Sequence, residues 1–205
     1  MPRQAILSSV LLACCLAVSA DDERPRRGRA EQRKAEELRK LASRLKKLPR
    51  ERTSAEQQFI QARAADLWKR AGAASAGSYL FGRLAAAADD LLDAGEELAR
   101  RDRVDDDDDD DDERDRRRRT AQDLQRAYFR TTQADYFVRQ SREADGPAYA
   151  RTARRLYQLG RAAYDRGDYR RARRYADAVR NVIEALENLA QAAVPVPEPP
   201  VLREP

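Results

Sequence analysis

The chain has no histidine, and its only two cysteines, Cys14 and Cys15, stand side by side within the first fifteen of its 205 residues. Without imidazole, the commonest general base is missing, along with every Ser–His–Asp arrangement and the zinc and haem sites that need it. Beyond residue 15 no disulfide can staple the chain, and no thiolate is there to attack a substrate or hold a metal. Aromatic residues make up only 6%, with a single tryptophan, Trp68. No glycine-rich nucleotide loop, nucleophile elbow or metal-ligand spacing occurs. What remains for acid–base chemistry is Asp89 with Asp93, an i,i+4 carboxylate pair. Nothing near it in sequence suggests a pocket that would shift its protonation, so a solvated helix face is expected. The chain is expected not to be an enzyme, and no catalytic, cofactor-binding or metal-ligating residue is assigned.

Charge and helix formers are abundant. Charged residues reach 38%, Ala and Arg recur throughout, and few stretches alternate in the period-2, β-branched manner of strands. The expected class is all-α, as helical hairpins or a bundle, with polar outer faces and a thin, Ala-rich seam. The net charge of +5 conceals a segregation. From Leu84 to Glu113 fifteen acids face three arginines, a net −12, while the chain beyond is strongly basic. Blocks of opposite sign at this density attract one another, and salt weakens the attraction.

The first residues, Met1-Pro2-Arg3-Gln4, are followed by an apolar run from Ala5 to Leu16 and by the small residues Val18-Ser19-Ala20. This is the pattern of a cleaved secretory signal, and the apolar run is too short to span a bilayer. A lipoprotein-type alternative reads Leu11-Leu12-Ala13-Cys14, with Cys14 bearing the lipid. Either way the expected location is exported, periplasmic or extracellular, with envelope attachment in the second case. An exported chain has little use for a nucleic-acid surface, so no nucleic-acid partner is expected.

The expected organisation follows from breaks in pattern. Residues 1–20 form the signal and 21–29 a flexible lead. A helical segment with a hairpin covers 30–103, and an acidic/basic low-complexity linker 104–119. A C-terminal helical hairpin segment covers 120–193, and a Pro-rich disordered tail 194–205. Leu38, Leu41, Leu45 and Leu48 line one helix, which Pro49 stops. Thr53 to Glu56 is expected to cap the next helix as a capping box, with Ile60, Ala64, Leu67 and Ala71 in step. After Gly77, Ser78 opens a helix carrying Leu80, Leu84, Ala87, Leu91, Ala94 and Leu98. Asp105 to Asp112 is expected to be a solvated loop tethered to Arg114 and Arg116–Arg119. Thr120 to Asp123 resembles a second capping box, ahead of a helix whose Tyr128, Phe129, Tyr136 and Phe137 are expected to serve mainly as core. The dense prolines after Val194 favour an extended polyproline spacer.

The most regular stretch is Tyr149 to Ala193. Its last helix places Ala172, Ala176, Val179, Ile183, Leu186, Ala190 and Ala193 at alternating steps of 4 and 3, the seam of a coiled coil or paired helix. A shorter helix with Tyr149, Ala153, Leu156, Gly160 and Ala163 precedes it, and Arg166-Gly167-Asp168 breaks the two apart into a hairpin. Leu156, Leu159-Gly160, Tyr164, Gly167-Asp168-Tyr169, Ala172 and Ala176 resemble a single tetratricopeptide unit. The family's usual Pro closing the second helix is absent. Such units bind protein partners and do no chemistry, so the resemblance implies a binding or scaffolding role. The helices on either side of Gly77 look like an earlier copy of this hairpin, with Gly77-Ser78-Tyr79 against Gly167-Asp168-Tyr169.

The expected function is therefore a non-enzymatic exported helical protein, acting as a protein-interaction or scaffold module at the cell envelope, with a protein partner or self-association. Its candidate contact residues are Arg154, Arg155, Arg170, Arg171, Arg173 and Arg174. One alternative is an anionic-surface binder, for lipid or glycan, through the Arg clusters. Another is weak Ca²⁺ binding through Asp89, Asp90, Asp93 and the Asp run.

Overall fold

The computed structural model describes residues 28–49, 53–100 and 113–194. The expected signal, the lead to residue 27, the Asp run and the Pro-rich tail from residue 195 lie outside them. The described residues are all-α, in six helices: α1 (28–47), α2 (Ala55–Ala73), α3 (Tyr79–Ala99), α4 (Glu113–Ser141), α5 (Gly146–Asp165) and α6 (Tyr169–Ala192).

Each half of the molecule is a helix laid on a hairpin. In the first, α2 and α3 pair, and α1 covers them. The Trp68 indole N–H of α2 donates to the Leu38 carbonyl of α1 at 3.0 Å, and Leu48 just beyond α1 packs on Gly95 of α3. Leu41 and Leu48 are buried, so the leucine stripe of α1 has found the partner surface that a narrow-striped helix needs. In the second half, α4 lies on the α5–α6 hairpin.

The two hairpin turns are built alike. Gly77 and Gly167 both take positive φ, at 71° and 79°, where a side chain would be strained. The next residue caps the following helix: Ser78 Oγ accepts from the Phe81 N–H, and the Asp168 carboxylate from the Arg171 N–H, both at 3.1 Å. Gly77 and Gly167 are 90 residues apart, and nearly the same offset carries Leu38 and Trp68 onto Tyr128 and Tyr157. Those tyrosines also bridge the first and second helices of their half, ring to ring at 5.6 Å. Each half thus has the same plan, a first helix laid on a two-helix hairpin. The halves join through their last helices, α3 against α6, the most extensive contact among α2 to α6. These run antiparallel: Arg83 reaches Asn188 at one end, and Arg174 reaches the Arg100 carbonyl at the other.

Several expectations need correction. The cap of α2 is Ser54, with Gln57 completing the box, one residue later than the Thr53–Glu56 register. Both registers satisfy the sequence rule, and Gln57 returns to the Ser54 N–H at 3.0 Å. The linker expected to end at residue 119 ends by 112, because α4 begins at Glu113. Glu113 and Asp115 in its first turn suit the positive end of the helix dipole, and Asp115 meets Arg118 one turn on. Arg116–Arg119 are accordingly helical, and Thr120 is a buried mid-helix residue rather than a cap. The thin seam is also wrong for α6. It touches α3, α4 and α5 and buries Ala178, Val182 and Ala185 beside the expected stripe. Small side chains let three neighbours close around it at once.

Candidate functional site

The arginines proposed as one contact surface are dispersed. Arg154 of α5 pairs with Asp135 of α4 at 2.7 Å, and Arg155 reaches Glu56 of α2 at 3.8 Å. Arg173 pairs with Asp123 at 3.5 Å, Arg171 stacks over Tyr175, and Arg174 donates to the Arg100 carbonyl. The first two tie helices together midway along α5, while the others gather at the start of α6.

The acids of α3 divide in the same way. Asp89 and Asp93 sit one turn apart and are both held by Arg44 of α1, whose Nε also donates to Glu96 at 2.8 Å. Burial opposes the Arg44 charge, but Glu96, Asp93 and Asp89 outweigh it and leave the guanidinium firmly protonated. These carboxylates therefore pin α1. Asp90 lies about 100° around the helix and faces α6. It accepts from Asn188 Nδ2 at 2.8 Å, and Arg83 donates to the Asn188 oxygen at 3.1 Å. Burial pushes the Asp90 carboxyl up to about 7, against the Asn188 hydrogen bond, with Glu184, Asp93 and Asp89 adding to the rise. Asp89, Asp90 and Asp93 consequently do not converge as calcium ligands. No group of three acidic residues among the described residues could hold a metal ion. The Asp run lies outside them.

What remains is α4. Its inner positions Leu124, Ala127, Thr131 and Ala134 are buried, but the aromatics expected as core are turned outward. Tyr128 is 49% exposed, Phe129 57% and Tyr136 55%, and only Phe137 packs against the core. The reason is the helical repeat. Phe129 and Tyr136 lie seven residues apart on one line with Gln122, Gln125 and Thr132, directly opposite the Leu124–Thr131 stripe. Apart from Leu124, those inner positions hold the small residues Ala127, Thr131 and Ala134, which let α4 lie close on α6. No acid stands on this outer line from Gln122 to Gln140.

Beside Phe129 a cleft of about 510 Å³ opens between α4 and α6. Ala127 and Ala176 line it together with Gln133 and the guanidinium groups of Arg126, Arg130 and Arg180. Each arginine has an acid close by: Asp123 at 3.6 Å, Glu187 at 3.4 Å and Asp177 at 3.3 Å respectively. Burial holds the Asp177 carboxyl above its ordinary value in spite of Arg180 and Arg173. The cleft therefore offers apolar methyls and a phenyl wall within a rim that is largely neutralised. It suits an apolar side chain flanked by polar groups better than a free anion.

No family model matches the chain, and neither does any curated protein or solved structure.

Proposed function

We propose that this is a non-enzymatic helical interaction module of the cell envelope, exported by its N-terminal signal, and that the outer face of α4 with its adjoining cleft is the contact surface. The observation that carries the reading is the exposure of Tyr128, Phe129 and Tyr136 on one helix of a chain with few aromatics. Large aromatic side chains left in water beside arginines are the usual energetic anchors of protein interfaces. The sequence resemblance of Leu156 to Ala176 to a tetratricopeptide unit also supports a binding role. Export rests on the signal-like segment alone.

The test is a comparison of the wild type with a Phe129→Ala/Tyr136→Ala double variant. Both side chains are mostly solvated, so the fold should survive, as circular dichroism would verify. The wild type should recover a defined stoichiometric partner from a crosslinked envelope extract, or self-associate in light scattering. The double variant should lose at least tenfold of that association, about 1.4 kcal/mol. A wild type that remains a lone monomer, or a partner held equally by the variant, would defeat the proposal.

A further inference from the structure

We infer that the end of the bundle where α4 begins, α5 ends and α6 begins is a binding site for a soluble linear polyanion carrying closely spaced tetrahedral oxyanions. Three helices bring their basic ends together there. Arg117 of α4 reaches the Tyr164 hydroxyl of α5, and the Tyr164 and Tyr169 rings pack edge to face at 5.3 Å across the α5–α6 turn. Arg161 lies over the Tyr164 ring at 5.8 Å, so two guanidinium groups from different helices are placed around one tyrosine pair. Arg166, Arg170 and Arg171 follow on the turn and the first turn of α6, all three exposed.

Among the described residues, the acids at this end are fewer than the arginines. Asp168 caps α6, Asp165 pairs with Arg161 at 3.6 Å and Asp115 with Arg118 at 3.5 Å, and Glu113 also stands at the start of α4. Guanidinium forks bind tetrahedral oxyanions in two-point fashion, and several forks spread over three helix ends match a chain of such groups better than a single ion. An acidic peptide is a weaker match. Asp105 to Asp112 are tethered immediately before α4, so external carboxylates compete with carboxylates of the same kind at high effective concentration. A membrane surface is also a weaker match. Among the described residues, the exposed large apolar ones are Tyr79, Leu80, Tyr128, Phe129, Tyr136 and Val194, none of which is at this end to enter a bilayer interface.

The experiment is calorimetric titration of the full chain with two probes, inorganic polyphosphate and a heparin-derived sulfated oligosaccharide, at low and moderate salt. At least one should bind, with affinity falling steeply as salt rises, and the choice between them identifies phosphate or sulfate as the preferred group. An Arg117→Gln/Arg166→Gln/Arg170→Gln variant should bind about tenfold more weakly or worse, since each lost contact also removes released counterions. An Arg39→Gln/Arg139→Gln/Arg151→Gln variant has the same net charge but is altered elsewhere, and it should lose less than about threefold. Equal losses in the two variants would show a mere response to net charge and overturn the site. Failure of both probes to bind would overturn it too, as would binding to phosphatidylglycerol vesicles with neither soluble chain bound.

Discussion

Asp90 shows how one side chain acquires a property its neighbours lack. Asp89 and Asp90 are adjacent and identical in sequence, yet the first meets Arg44 in partial solvent while the second is pressed against α6. A carboxyl raised to about 7 in the fold but ionising near 3.9 when unfolded binds its proton more tightly in the native state. Its contribution is therefore fully present below about pH 4 and is lost as pH rises through 7. Glu97 and Asp177, also raised by burial, act in the same direction. The Asp90→Asn variant keeps an acceptor for Asn188 and removes the charge. It should resist urea better than wild type at pH 8, by on the order of 2 kcal/mol after allowance for partial exposure, with the gap narrowing at pH 5 and closed below about pH 4. Equal pH slopes for the two proteins would refute the assignment.

At the scale of the helix, two glycines make opposite demands. Gly82 in α3 has nothing within 4 Å of a would-be Cβ, whereas at Gly160 in α5 that atom would stand 3.0 Å from Leu124 Cδ2 and 3.1 Å from Tyr175 Cβ. Gly82→Ala should raise stability by about 0.5–1 kcal/mol through helix propensity alone. Gly160→Ala gains the same propensity but must push α4 and α6 away, and a net loss of about 1–2 kcal/mol is expected in chemical denaturation. A stabilised Gly160→Ala would mean that the three helices do not approach as closely as described. The apolar stripes of α2 and α5 were legible residue by residue, as every position in them is buried. Leu80 and, on α4, Tyr128, Phe129 and Tyr136 were misread because hydrophobicity indicates a preference for burial and not the presence of a neighbour to provide it.

For the whole molecule, the α3–α6 contact predicts that the two halves unfold together. Trp68, the only tryptophan, reports on the first half, while far-UV circular dichroism reports on both. Their urea transitions should coincide. A Trp68 transition that precedes the loss of helix would show two independent halves.

Composition and periodicity were enough to determine an all-α chain, most of its helix boundaries, and the two glycine-centred turns, because helix propensity, caps and positive-φ positions are local properties. The tertiary structure alone decided that α6 is buried on three sides, that Asp90 and Asp89 have different fates, and that Phe129 and Tyr136 face water. Those outcomes depend on which helix lies opposite, and pairing between distant segments leaves no mark in the spacing of either one.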